Sequence, residues 1–342
     1  MTKLKVLIVD DSAFMRLLIS DLISDDVELG VIGSAINGLE AKEKVVELQP
    51  DVVILDLNME EYDGLYAVKT IMAVRPTPIL ILSSVGNTDL QPVFEALKNG
   101  AVDYINKPSR NKSKMREIRA ELVQKIKSTA RAKPQKISDY QNDISAIVTK
   151  TRRSNYDIIA IGASTGGPSA IERILKVIPG DFDIPIVICQ HMPKAFILPF
   201  VHRLNSLTKL NVMAAAKDMQ PQLGNVMFCP GHANLVFNET GGVAKVDFTD
   251  KVFREYNNPS INAMMLSVAK IFKHRAVGVI LTGMGKDGLE GMKAIYDEGG
   301  YTITQNRETS IIYGMPKVVM DAGLSKASLD INEIGNYLVK EL

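Results

Sequence analysis

Three observations predict two α/β domains, each built on a mainly parallel sheet. The chain has 342 residues, about the length of two domains. Over its first third, short apolar runs alternate with stretches of helical periodicity, the pattern of a doubly wound sheet. From about residue 156 the alternation starts again, now with a glycine-bearing segment that reads as an antiparallel hairpin.

In the first domain, Val6 to Val9, Val52 to Leu55, Ile79 to Leu82 and Tyr104 to Ile105 read as buried parallel strands. Gly30 to Ala35 is a weaker one. Helical patterns fill the gaps, around Ser12 to Ser24, Gly38 to Leu48, Gly64 to Val74 and Pro92 to Asn99. In such sheets chemistry gathers beyond the carboxyl ends of the strands. Those ends carry Asp10 and Asp11, then Asp56, then Ser83 and Ser84, then Lys107. Three carboxylates converging on one edge repel one another unless a cation joins them, and Mg2+ suits hard oxygen ligands. A lysine and a hydroxyl beside them can bind phosphoryl oxygens. Taken singly, Asp10 and Asp11 could be helix caps and Lys107 a loop charge. Six such residues at four strand ends point to a site.

On these residues, the stretch from 4 to about 125 resembles a response-regulator receiver domain, with a flavodoxin-like five-stranded parallel sheet. The resemblance implies Asp56 as phosphoryl acceptor, Asp10, Asp11, Asp56 and the Asn58 carbonyl as Mg2+ ligands, Ser83 as switch hydroxyl, and Lys107 as a phosphoryl contact. It also implies that the Lys107–Pro108 bond is cis. One departure is Glu60, where the family usually has proline.

The receiver is expected to span 1–130, its last helix running from about Ser113 to Ala130. A polar connector follows over 131–155, containing Pro134. From Arg110 to Lys136 there are ten Lys or Arg against two Glu. No aromatic or base-reading pattern accompanies this run, so it reads as a solvated helix face rather than a nucleic-acid contact.

The second domain, 156–342, opens on Asp157 to Pro168, D-I-I-A-I-G-A-S-T-G-G-P. Ile158 to Ile161 form a strand ended by Gly162, and Ser169 to Ile178 follow a helical spacing. Ser164 therefore lies on a sharp strand-to-helix turn with the G-x-S-x-G spacing of a nucleophile elbow. Glycine neighbours let a hydroxyl project from so tight a turn, and the helix start aims N–H groups at the same spot. The competing readings are a structural turn and a glycine-rich anion cradle, although the dinucleotide spacing fails at 164 and no Walker lysine follows. Further apolar runs lie at Ile184 to Cys189, Val226 to Phe228 and Ala276 to Leu281. The hairpin centres on Gly241-Gly242, giving a mostly parallel sheet with some antiparallel edge.

A serine nucleophile needs a base and a group that orients it. Of four histidines, His191 is best placed, at a strand's carboxyl end like Ser164. His202 and His274 lie in helical patterns and His232 in a loop. Asp287, on the glycine-rich loop after Val277 to Leu281, is either a helix N-cap or the acid that orients His191. The chain order Ser, His, Asp differs from that of α/β-hydrolases. Cys189 is a rival nucleophile, though a strand cysteine is ordinarily core.

These motifs, with Q-H-M-P at 190–193, P-S-I-N at 259–262, L-T-G-M-G-K-D-G at 281–288 and Q-N-R-E-T-S from Gln305, resemble the chemotaxis protein-glutamate methylesterases. The resemblance implies a triad of Ser164, His191 and Asp287, with the Met284 N–H in the oxyanion hole; Thr165 is expected as a second donor. It implies ester hydrolysis and glutamine deamidation on chemoreceptors, a histidine kinase as phosphodonor, and no cofactor in the catalytic domain. The sequence departs from the family at Cys189 and in the loop 230–234. Two other readings are a receiver fused to a phosphate-ligand module and a DNA-binding regulator.

Composition fits these expectations. Net charge is +1, so charge alone indicates neither nucleic acid nor an acidic partner. Cys189 and Cys229 form no C-x-x-C pair. No apolar run reaches membrane-spanning length and the N-terminal run is too short for a signal peptide, so the expected setting is cytoplasmic, without membrane insertion.

Overall fold

The computed structural model describes residues 3–83, 90–107, 118–134, 154–256 and 258–342. The chain divides into two compact units, Met1–Asn142 and Asp143–Leu342.

The first unit is a five-stranded parallel sheet in the order β2-β1-β3-β4-β5. Its strands are β1 (Leu4–Val9), β2 (Leu29–Ala35), β3 (Val52–Leu55), β4 (Ile79–Ser83) and β5 (Asp103–Asn106). Helices α1 (Ala13–Ser24), α2 (Gly38–Leu48), α3 (Gly64–Val74), α4 (Gln91–Lys98) and α5 (Arg119–Ala130) cover it. Their starts follow from local chemistry. Ser12, Asn37 and Asp63 each accept a main-chain N–H of the first turn of α1, α2 and α3. The apolar face of α1 packs Met15, Leu18, Ile19 and Leu22 onto Val6, Ile8 and Ile54.

Helix α5 uses part of the basic run internally. Arg119 pairs with Asp25, Lys125 with Asp103, and Lys127 with Asp26 and Glu28. The expected start of this helix, 113–117, and the Lys107–Pro108 bond lie outside the described residues, as does Ser84.

The second unit holds a seven-stranded sheet in the order β14-β13-β12-β6-β7-β9-β8. Its strands are β6 (Ile158–Ala163), β7 (Ile186–Gln190), β8 (Asn211–Ala214), β9 (Asn225–Phe228), β12 (Ala276–Ile280), β13 (Tyr301–Gln305) and β14 (Ala327–Leu329). All the strand pairs in it are parallel. The hairpin of β10 (Asn234–Thr240) and β11 (Val243–Thr249) turns at Gly241-Gly242, as expected, but it is a separate two-stranded sheet. The expectation of an antiparallel edge is corrected accordingly: the hairpin packs its apolar face, Leu235, Phe237 and Val246, into the core beside the sheet instead of extending it. The helices are α6 (Gly167–Val177), α7 (Lys194–Leu207), α8 (Ile261–Phe272), α9 (Leu289–Asp297), α10 (Met315–Asp321) and α11 (Ile331–Lys340).

The topology dictates where chemistry can sit. The first strand, β6, pairs with β7 on one side and with β12 on the other. The winding direction reverses there, which leaves a crevice beyond the carboxyl ends of these three strands. Gly162 lies inside β6 rather than ending it. A Cβ there would meet Ile261 Cγ2 at 2.5 Å, so its role is to let α8 pack against the strand.

Candidate active site

Ser164 follows β6, His191 follows β7, and Asp287 lies on the loop after β12. The crevice brings these three side chains together. Ser164 Oγ lies 3.1 Å from His191 Nδ1, and His191 Nε2 lies 2.9 Å from Asp287 Oδ2. The carboxylate accepts only, so Nε2 carries the ring proton in the neutral imidazole. Nδ1 is then the acceptor that faces the serine hydroxyl. His202, His232 and His274 are all exposed.

The turn that presents Ser164 needs its glycines at two places. Gly166 has φ +78°, which favours glycine. At Gly167 a Cβ would lie 1.9 Å from Gln190 Oε1. That close approach lets Gln190, buried at the end of β7, donate from Nε2 to the carbonyls of Ser164 (2.9 Å) and His191 (3.0 Å). One amide thus ties the nucleophile's turn to the base's.

Asp287 is buried in a cage of donors. Its Oδ1 accepts from Asn262 N (3.0 Å), Gly288 N (3.0 Å) and Ser260 Oγ (3.3 Å), and Oδ2 accepts from Ile261 N (2.7 Å). The alternative of a simple cap on the following helix therefore does not describe it, since the carboxylate sits at the start of α8, where the helix dipole also favours an anion. Asn262 Oδ1 in turn accepts Gly288 N and Gly291 N, holding the loop against α8. Asn234 Oδ1 accepts Asn258 N and Ser260 N, which gives the atypical loop 230–234 a definite anchor. Gln190, Ser260, Asn262 and Asn234 were not singled out from the sequence as site residues. For the first three the signal was the motifs Q-H-M-P and P-S-I-N, and for Asn234 the atypical loop 230–234, none of which names these roles.

Thr165 is buried and Met284 half-buried at the same crevice. Thr282 Oγ1 donates to the Thr165 carbonyl at 3.0 Å, joining the serine turn to the strand end that carries Met284. Gln305 Oε1 accepts Thr282 N at 2.8 Å, so the Gln305 motif braces the same strand end. Cys189 is fully buried. Burial pushes its thiol well above the usual range, and neighbouring Cys229 adds to the rise, which disqualifies it as a nucleophile.

The acidic cluster of the first unit also assembles. Asp10, Asp11 and Asp56 offer carboxylate oxygens within 4.8 Å of one another. Lys107 Nζ bridges two of them, at 2.6 Å from Asp10 Oδ2 and 2.7 Å from Asp56 Oδ2. Burial raises the Asp10 pKa above its ordinary value despite the opposing pull of Lys107. For Lys107, burial acts to lower the pKa, but Asp56 and Asp10 together raise it. Arg16 donates to the Asp10 and Asp11 carbonyls, and Ser12 N to Asp10 Oδ1. A set of hard carboxylate oxygens with an excess of negative charge fits Mg2+. Asn58 N donates to Asp56 Oδ1 at 3.2 Å. Despite Glu60, the loop is held at its far end, where Gly38 N donates to the Tyr62 carbonyl and Asp63 caps α3. Ser83 closes β4.

Residues 159–338 match the family model of the CheB methylesterase, and residues 6–119 that of the response regulator receiver domain. A protein-glutamate methylesterase/protein-glutamine glutaminase of Lawsonia intracellularis is 38% identical over 99% of both chains. One from Pyrococcus abyssi is 36% identical over 99% of this chain and 93% of its own. The crystal structure of the Thermotoga maritima CheB methylesterase catalytic domain is 32% identical. It covers 55% of this chain and 99% of its own, with a TM-score of 0.53. The chain belongs to the CheB methylesterase family, with a response-regulator receiver domain ahead of the methylesterase domain.

Proposed function

We propose that the chain is a phosphorylation-activated serine hydrolase that demethylates γ-glutamyl methyl esters on chemoreceptors and deamidates their glutamines. The observation that carries this reading is the unbroken relay from Ser164 Oγ through His191 to Asp287. Ser164 Oγ attacks the ester carbonyl while His191 Nδ1 takes its proton. Nε2–H stays on Asp287, whose charge stabilises the imidazolium. The Met284 and Thr165 N–H groups receive the oxyanion, and losing one such donor costs about 3 kcal/mol of transition-state stabilisation. The tetrahedral adduct collapses, His191 returns the proton to the methoxy oxygen, and methanol leaves. Water then cleaves the acyl-enzyme to give glutamate and free Ser164. On glutamine the leaving group is ammonia.

In the receiver, Asp56 accepts a phosphoryl group from a histidine kinase. Asp10, Asp11, Asp56 and the Asn58 carbonyl would hold Mg2+, which when bound offsets charge on the phosphoryl oxygens. Lys107 shifts from pairing carboxylates to pairing the phosphoryl group, and Ser83 is the switch hydroxyl. Phosphorylation at Asp56 shifts the receiver between two states, and the esterase is the more active in the phosphorylated one. The reading places the enzyme in the cytoplasm. Among the described residues, no helix is long and apolar enough to cross a membrane.

The test is to incubate the full chain with methylated chemoreceptors and with receptors carrying glutamine at the methylation sites. Methanol from the first and ammonia from the second are expected. Release of neither, with a phosphodonor present, contradicts the proposal.

A further inference from the structure

The segment between β11 and α8 carries Tyr256, which is 44% exposed. Its ring lies face to face with the His191 imidazole, with centroids 3.7 Å apart and planes 12° from parallel. The preceding residue, Glu255, pairs at 3.2 Å with Lys286, next to Asp287 in the chain. The segment is therefore pinned to the loop that carries the carboxylate, and it lays an aromatic face on the imidazole.

Two hydrogen bonds, to Ser164 and to Asp287, aim the two ring nitrogens of His191. Turning the ring about Cβ–Cγ would stretch both, and the flat Tyr256 contact on its face resists that motion. An aromatic face also attracts a cation, so the contact strengthens when the imidazole gains a proton. Among the described residues, the Ser164 hydroxyl, the Asp287 carboxylate and the Tyr256 ring contact the imidazole. Glu255 and Lys286 pair with each other and so add no net charge.

We propose that Tyr256 is a positioning residue for His191, fixing the plane of the imidazole and stabilising its protonated form through the aromatic face rather than the hydroxyl. This rests on the reading of His191 as the general base. The test compares wild type, Tyr256→Phe and Tyr256→Ala as full chains with a phosphodonor, measuring kcat and KM for methanol release. The ring-proton shifts of His191 are measured by NMR on the same samples. Tyr256→Ala is expected to lower kcat about 5-fold with KM within about two-fold, and to abolish the ring-current shift on the imidazole protons. Tyr256→Phe retains both. A kcat unchanged in Tyr256→Ala overturns the proposal, and so does a Tyr256→Phe variant as slow as Tyr256→Ala. If wild type releases no methanol, the esterase reading fails, while the ring-current shift still decides whether the ring face is held.

Discussion

At the scale of single residues, the site is governed by what surrounds Asp287. Every polar contact on its two oxygens is a donor, from His191, Ser260, Ile261, Asn262 and Gly288. An amide cannot satisfy that environment, because its NH2 must face an N–H or O–H wherever it points. Asp287→Asn is therefore expected to destabilise the catalytic domain by about 1–3 kcal/mol and to lower kcat by about 10^4-fold, as thermal unfolding and methanol assays would show. Ser164, His191 and Asp287 were legible in the sequence because each follows an apolar strand. The orientation of the imidazole was not. That Nδ1 faces the serine and Nε2 the carboxylate depends on the direction from which the loop after β12 arrives, and a strand pattern carries no such information. The cage was hidden for a similar reason: Ser260 and Asn262 lie about 25 residues from Asp287 in the chain and meet it only when α8 packs beside β6.

At the scale of elements, buried strands made of aliphatic residues were readable nearly to their ends. Those that mix in hydroxyls were missed. In β13, Thr302 and Thr304 are fully buried and look polar on paper. The structure accommodates them by pairing Thr304 Oγ1 with Ser325 Oγ and Thr302 Oγ1 with Lys326 N. The edge strands β8 and β14, four and three residues long, are too short to show a period. Helix α11 is tied to β13 by a hydrogen bond of 2.6 Å between the hydroxyls of Tyr301 and Tyr337. This bond, with burial adding to it, pushes the Tyr337 pKa up to about 12. A phenol whose pKa is raised by folding keeps its proton more tightly in the folded state. Its contribution is therefore complete below pH 10, the ordinary tyrosine value, and is lost as pH rises from there toward about 12. Alkaline unfolding of Tyr337→Phe should be correspondingly less steep in this window than that of wild type, and ultraviolet titration should show one fewer late-ionising tyrosine.

At the scale of the whole molecule, one rule operates twice. Each unit is a parallel sheet, and each gathers its reactive side chains beyond the carboxyl ends of its strands. The first collects Asp10, Asp11, Asp56 and Lys107; the second collects Ser164, His191 and Asp287. The receiver cluster is already bridged internally, since Lys107 holds Asp10 and Asp56 together, so a phosphoryl group must compete for that ammonium. A small-molecule phosphodonor with Mg2+ should raise methanol release by wild type at least several-fold. Asp56→Asn should hold the unstimulated rate whether or not the donor is present. The basic run is partly consumed in ion pairs within the receiver, at Arg119, Lys125 and Lys127.

The central claim is that one hydroxyl attacks the ester. Methanol release from methylated receptor by Ser164→Ala, in the presence of phosphodonor, tests it most directly. The predicted result is a fall of about 10^4-fold or more with the fold intact; a rate within ten-fold of wild type would contradict it.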